Sequence, residues 1–294
     1  MPEGHTIHRI AKDHAPLLVG RDVIVTSPQG RFEVGAARLA GRRVERIEAH
    51  GKHLFQWWTG GEALHIHLGL FGKFRVADAN GAGPPTEATR VRWRTDTTII
   101  DLAGPNACEL LVDDEVAAIV ARLGPDPLRA DAEAAVALRR IAASHRPIGD
   151  LLLDQAVLAG VGNVYRAEAL FVTGIWPERA GSTLTTDELQ ALWSTVVAML
   201  RQGVKDNRIV TVDPRELGTT KARLLPAGKA TYVYKRDMCL RCATAIVALD
   251  LGGRSCYACP ICQRRPRRKT ATTTATTTSA RARGSAARSG RTRA

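Results

Sequence analysis

The sequence predicts an α+β chain with three structured parts: a β-rich amino-terminal half behind a leading helix, a helical middle, and a small four-cysteine ribbon near the carboxyl end. Three observations carry that expectation. Apolar residues alternate with polar ones in short runs between positions 22 and 102, they recur at three and four residues further on, and five of the six cysteines fall between 239 and 262. With 294 residues, 45% of them apolar, the chain is long enough to bury the cores of two domains.

The leading helix begins almost at the first residue. Ile7, Ile10, Ala11, His14, Leu17 and Leu18 fall on one face, and the pattern stops near Gly20, so the chain's amino group sits at a helix amino terminus. Short strands follow: Val23 to Val25, the stretch 43–58, a Gly60-Gly61 turn, then Leu64, Ile66, Leu68 and Leu70 alternating with His65, His67 and Gly69. In 90–94 three arginines take one face and two apolar groups the other, the pattern of a solvated sheet face that can also meet phosphates. A helix is expected over 114–122, and Gly124-Pro125-Asp126-Pro127 breaks the chain at a domain junction.

Beyond that break the texture is helical. Leu151 to Leu153 lead into the turn Gly160-Val161-Gly162-Asn163, then a helix from Val164 to about Val172 and another from Thr186 to Leu200. A Gly-rich turn opening on a helix offers backbone N–H groups, a natural phosphate seat. Residues 202–230 are poorly periodic and read mostly as loop.

The ribbon is Cys239-Leu-Arg-Cys242, sixteen intervening residues, and Cys259-Pro-Ile-Cys262. Two close thiolate pairs fit one tetrahedral Zn²⁺ with every position filled, so the expected metal is structural and a zinc hydrolase is disfavoured. Cys256 and Cys259 also have pair spacing; Cys259 and Cys262 are preferred because they flank Pro260 in a tight turn, which leaves Cys256 a bystander. Gly252-Gly253 would hold Arg254 at the tip of a hairpin.

Charge is unevenly spread. Lys and Arg number 42 against 29 acids, a net of +13, but ten of the basic residues lie in 264–294, a stretch without an acid. The first 263 residues keep 32 basic groups against 29 acidic ones, a net of +3. The excess points to a polyanionic partner, and the Thr- and Ala-rich basic tail is expected to be disordered. No apolar run reaches the ~18–20 residues of a membrane helix and no signal-peptide layout opens the chain, so a cytoplasmic protein without membrane contact is expected.

The first residues carry a second chemical signal. Removal of Met1 would leave Pro2 as a secondary amine beside Glu3. Such an amine can attack an aldehyde-level sugar carbon and give an iminium, an electron sink suited to β-elimination, while the helix dipole favours its neutral form. Lys52, after Gly51 in a strand turn, is a possible second base or phosphate contact.

These signals occur in order: Pro2-Glu3-Gly4, Gly51-Lys52-His53-Leu54, His67-Leu68-Gly69-Leu70-Phe71-Gly72, Arg122 to Asp126, Asp154-Gln155 with Gly160 to Asn163, and Gly253-Arg254-Ser255 within the ribbon. Their conjunction resembles the formamidopyrimidine-DNA glycosylase and endonuclease VIII family over roughly 1–263. The opening Pro2-Glu3-Gly4-His5-Thr6 is most similar to the actinobacterial endonuclease VIII branch, whose expected substrates are oxidised pyrimidines. The resemblance departs at Thr6, where that branch often has Glu, at Gly69, where it often has Gln, and in the basic tail.

What the resemblance implies is specific. Residues 1–121 would form a catalytic β-sandwich, 122–230 a helical DNA-binding domain with a helix, two turns and helix unit and a flexible loop, 231–263 a zinc finger, and 264–294 the tail. Pro2 would be the Schiff-base nucleophile, Glu3 the general acid/base and Lys52 a proton donor in strand cleavage. Arg122 and Asn163 would contact phosphates, and Arg254 would grip phosphate beside the lesion and help δ-elimination. Leu70 and Phe71 would fill the gap left by an extruded nucleotide, since a base inside a duplex cannot be reached without flipping. The implied protein is a monomeric, nucleoid-associated base-excision-repair enzyme acting on damaged DNA, duplex or single-stranded. Its rival is a non-catalytic zinc-ribbon DNA-binding protein on the same fold, against which Pro2 and Glu3 argue.

Overall fold

The computed structural model describes residues 2–265; the expected basic tail lies outside the described residues from position 266 onward. Helix α1 (Gly4–Leu18) opens the chain and turns Ile7, Ala11, His14 and Leu18 inward. Then come β1 (Ile24–Thr26), α2 (Glu33–Leu39), β2 (Val44–His50), β3 (His53–Trp58), β4 (Glu62–His67), β5 (Lys73–Asp78), β6 (Thr89–Arg94), β7 (Thr98–Ala103) and β8 (Ala107–Val112). They form two antiparallel sheets, ordered β2-β3-β4-β8 and β1-β6-β7-β5. Leu54, Trp58, Leu64 and Ile66 of one sheet share a core with Val91, Trp93, Ile100 and Leu102 of the other. This is the expected sandwich.

Alternation in β6 sends Val91 and Trp93 into that core, and its outward arginines are largely tied down. Arg92 clasps Asp101 through two 2.7 Å hydrogen bonds, and Arg90 donates to Gln29 at 2.8 Å.

The second half continues with α3 (Asp113–Ala121), α4 (Ala134–Ala142), α5 (Ile148–Leu153), α6 (Asn163–Val172) and α7 (Thr186–Asp206), followed by the hairpin β9 (Val247–Leu251) and β10 (Arg254–Ala258). Helix α7 starts at a reciprocal cap, in which Thr185 Oγ1 accepts from the Glu188 N–H and Glu188 accepts from the Thr185 N–H. It runs past the expected end at Leu200 because Gly203 serves packing: a Cβ there would stand 2.1 Å from Tyr165 Oη. Helices α2 and α4 were not expected. Helix α2 buries only Ala36 and Leu39, too few to print a clear period, whereas α4 is plainly amphipathic, turning Ala137 and Ile141 to the core with Leu138 beside them.

The break at 124–127 is a joint. Asp126 is buried and accepts from the Gly51 N–H at 2.7 Å, the Leu128 N–H at 2.9 Å and His8 Nε2 at 2.7 Å. Against burial, these donors hold its carboxyl below the usual range, so α1 and the Lys52 turn are bonded to the first residues of the helical half. Among the described residues no helix is long and apolar enough to cross a membrane.

Candidate active site and metal centre

The amino terminus of α6 is where the two halves meet chemically. An α-helix begins with unpaired backbone N–H groups, and here a carboxylate from the other end of the sequence satisfies them. Glu3, fully buried, accepts from the N–H groups of Val164 at 2.8 Å, Gly162 at 2.9 Å and Tyr165 at 3.4 Å. Gly162 is required by this approach, because a Cβ there would lie 2.4 Å from Glu3 Cδ. Alongside, the Gly4 N–H donates to the Gly160 carbonyl at 2.8 Å. Burial pushes the Glu3 carboxyl above the ordinary range, against Lys52 and the three N–H donors that favour its charged form.

Pro2 precedes this anchor and faces a cavity of about 360 Å³, whose walls include Lys52, His67, Leu70, Gln155 and Arg254. Lys52 Nζ donates to the Val161 carbonyl at 2.7 Å, which Gln155 Nε2 also reaches at 2.9 Å. Burial brings the Lys52 ammonium down to about 8; Glu3 pulls it up and Arg254 pushes it further down. The cavity therefore gathers Pro2, an ammonium that exchanges protons near neutrality and a guanidinium, with a buried carboxyl behind them.

Arg254 comes from the β9–β10 hairpin. Gly252 and Gly253 both take positive φ, at 63° and 67°, the two-residue turn that matches the twist of antiparallel strands. At the far end of the hairpin, Cys239, Cys242, Cys259 and Cys262 place their Sγ atoms within 4.8 Å of one another. Two of these separations are 3.4 Å, between Cys242 and Cys259, and 3.9 Å, between Cys239 and Cys262. Sulfurs around a tetrahedral ion with bonds of ~2.3 Å stand roughly 3.8 Å apart, so the four thiols fit a structural metal. Cys256 is fully buried opposite Leu249 and lies outside the group.

Residues 1–114 match the formamidopyrimidine-DNA glycosylase N-terminal domain and residues 123–213 the formamidopyrimidine-DNA glycosylase H2TH domain. Endonuclease 8 1 of Mycobacterium tuberculosis is 45% identical over 268 residues, covering 90% of this chain and all of that protein. The chain belongs to the formamidopyrimidine-DNA glycosylase and endonuclease VIII family. The formamidopyrimidine-DNA glycosylase of Synechococcus elongatus is 32% identical, with 88% of this chain and 91% of that protein aligned. The glycosylase fold is also that of Lactococcus lactis Fpg solved with DNA containing an abasic site, at a TM-score of 0.75 and 22% identity, over 90% of this chain and 100% of that one.

Of the remaining expected residues of this glycosylase family member, Leu70 lines the cavity, whereas Phe71, Arg122 and Asn163 are not among its walls. Leu70 and Phe71, in the turn between β4 and β5, are 59% and 83% exposed and extend as an apolar tip. Arg122 caps α3 on the surface, where its guanidinium makes no hydrogen bond among the described residues. Asn163 is buried: its Nδ2 donates to the Ser255 carbonyl at 3.0 Å, so it holds the hairpin as well as standing at the helix start.

Two buried charges on α6 escaped the sequence reading. Arg166 donates to the carbonyls of Leu251 at 3.0 Å, Gly149 at 3.2 Å and Arg254 at 3.2 Å, and to Asn163 Oδ1. Glu168 accepts from the N–H groups of Tyr232, Val233 and Tyr234 at 2.7–2.9 Å, fixing the segment that leads into the cysteine ribbon. The signal was present: an Arg and a Glu inside an otherwise apolar helix need buried partners. Thus α6 holds Glu3 at its start, the Arg254 hairpin one turn later and the approach to the metal ribbon beyond that.

Proposed function

We propose that the chain is a bifunctional DNA glycosylase and abasic-site lyase that excises oxidised bases, pyrimidines foremost, and cuts the strand by β,δ-elimination through a Schiff base on Pro2. The observation that carries this reading is the Pro2 cavity backed by Glu3 on the amino terminus of α6. After loss of Met1, the Pro2 nitrogen attacks C1′ of the damaged nucleotide and the bond from C1′ to the base breaks. The departing base takes a proton and the amine loses one; the C1′–O4′ bond then breaks as O4′ takes a proton, which opens the sugar ring and leaves an iminium. Loss of a C2′ proton then expels the 3′ phosphate, and a second elimination expels the 5′ phosphate.

Glu3 exchanges protons with the sugar as general acid/base, Lys52 donates a proton during strand cleavage, and Arg254 holds the phosphate beside the lesion. Leu70 and Phe71 fill the vacated stack, and Arg122 and Asn163 bind the flanking backbone. Zn²⁺, held by Cys239, Cys242, Cys259 and Cys262, would supply rigidity to the hairpin. Damaged DNA is the partner, met by a monomer in the bacterial cytoplasm.

Borohydride added during turnover is expected to link DNA covalently to residue 2. Peptide mass spectrometry that located the adduct on a lysine would remove the proline mechanism, and absence of any adduct with intact DNA binding would favour a non-catalytic binder.

The Lys52 role has a pH signature. A donor must be protonated, and this ammonium is lost as pH rises through about 8. Strand cleavage of a preformed abasic site should therefore fall above that pH, approaching about tenfold per pH unit. Single-turnover rates at constant ionic strength test this, and a profile that stays flat well above pH 8 would exclude Lys52 as donor.

A further inference from the structure

The outer face of the β2-β3-β4-β8 sheet carries a line of polar side chains drawn from three adjacent strands. His53 Nδ1 of β3 lies 2.9 Å from His65 Nε2 of β4, and His65 Nδ1 lies 3.0 Å from Glu109 Oε1 of β8. The carboxylate at one end fixes which nitrogens carry hydrogen. Glu109, 54% exposed, can only accept, so His65 donates from Nδ1 and keeps Nε2 as an acceptor. His53 must then donate from Nδ1, which leaves a lone pair on its own Nε2. That nitrogen has no hydrogen-bond partner among the described residues and is not sealed from solvent.

The surroundings of His53 suit an anion. It follows Lys52 in the chain and pairs across the sheet with His67, whose ring is 5.0 Å away and lines the Pro2 cavity. Its near-parallel ring neighbours are Phe55 and His65, at 6.3 and 5.1 Å. The groups acting electrostatically on it are His65, His67, His50 and Arg122, none of them an acid. His67 also senses Lys52, while Asp126, Asp131, Arg129 and His8 act on His50. At the other end of the line, Glu109 shares a shallow groove with Arg31, Glu33 and Arg38, and Arg38 is bonded to Glu62. Burial, helped by these neighbours, brings His53 down to about 3, so the ring is neutral until an anion arrives.

We propose that His53 is a proton-linked ligand for the DNA backbone: a phosphodiester at the cavity mouth draws one proton from solvent onto Nε2. The resulting imidazolium is held by the phosphate on one side and, through His65, by Glu109 on the other. No bond between heavy atoms changes. Because the protonated form exists only in the complex, binding takes up a proton and affinity rises as pH falls through the bound-state value, levelling off above it. The inference rests on the glycosylase reading only in taking duplex DNA as the ligand.

The test is the dissociation constant for a duplex bearing a tetrahydrofuran abasic analogue, measured by fluorescence anisotropy at fixed ionic strength from pH 5.5 to 9. Calorimetry in two buffers of different ionisation enthalpy counts the protons. The intact protein should tighten by up to about tenfold per pH unit on the acid side, the limit for one linked proton. His53→Gln keeps a donor for His65 but cannot carry the charge, and should flatten that limb. Glu109→Gln still accepts from His65 but removes the counter-charge, and should move the limb to lower pH. Any limb near pH 8 from Lys52 should persist in both variants. A wild-type slope in His53→Gln, or a slope abolished only by His67→Gln, would overturn the proposal. Absence of binding at every pH would instead refute the glycosylase reading.

Discussion

Replacing Glu3 by Gln is expected to slow base excision by roughly 10²–10⁴-fold, the usual contribution of a positioned acid/base, while cleavage of a preformed abasic site survives in part. The structure adds a second effect. One Glu3 oxygen accepts from Val164 and the other from Gly162 and Tyr165, whereas an amide has a single acceptor oxygen. Its NH₂ must face at least one backbone donor, a loss of about 1–3 kcal/mol that a lowered unfolding temperature would report. Gly162→Ala separates geometry from chemistry. Its Cβ would stand 2.4 Å from Glu3 Cδ, so the chain still carries a carboxyl at position 3 but that carboxyl loses its seat, and excision should fall to a similar degree. Single-turnover assays on lesion and abasic oligonucleotides decide the matter; equal loss of both activities in a folded Glu3→Gln protein would remove the assigned role.

Loss of the metal should have the largest effect on structure. Zinc-finger peptides gain roughly 10–16 kcal/mol from Zn²⁺ at neutral pH, and that binding energy is folding energy. Cys259→Ser is expected to lose the single metal ion, loosen the hairpin and weaken DNA binding through Arg254, although no metal-bound water takes part in the reaction. Cys256→Ser should keep the ion: its thiol is buried within β10, where burial pushes it up to about 11, and it stands outside the cysteine group. Metal analysis of the purified variants checks both halves. Metal loss in Cys256→Ser would mean that the ligand set is wrong.

The parts of the fold legible in the sequence are those written in local spacing. The period of Ile7, Ala11, His14 and Leu18 marks α1, the paired cysteines mark the ribbon, and Gly252-Gly253 marks the hairpin turn. What stayed hidden depends on distant partners. Nothing near Asp126 reveals that it will accept from Gly51 and His8, and nothing near Arg166 reveals carbonyls 85 and 88 residues further on. The Gly160-Val161-Gly162-Asn163 turn was legible as an anion seat at a helix start. Its occupant, a carboxylate 159 residues earlier, was not. Helix α4 is a different case: Ala137, Leu138 and Ile141 recur at helical spacing towards the core, so its pattern is legible in the sequence.

The bond between Glu3 and α6 also imposes an order in time. The Glu3 carboxyl is made 159 residues before the Gly162 amide that helps to seat it. At synthesis rates of about 5–20 residues per second, that delay is roughly 8–32 s. The hairpin that delivers Arg254 is translated later still. A growing chain therefore holds the Glu3 carboxyl without its backbone donors for that interval, and the walls of the Pro2 cavity can be completed only after Arg254 has also been made.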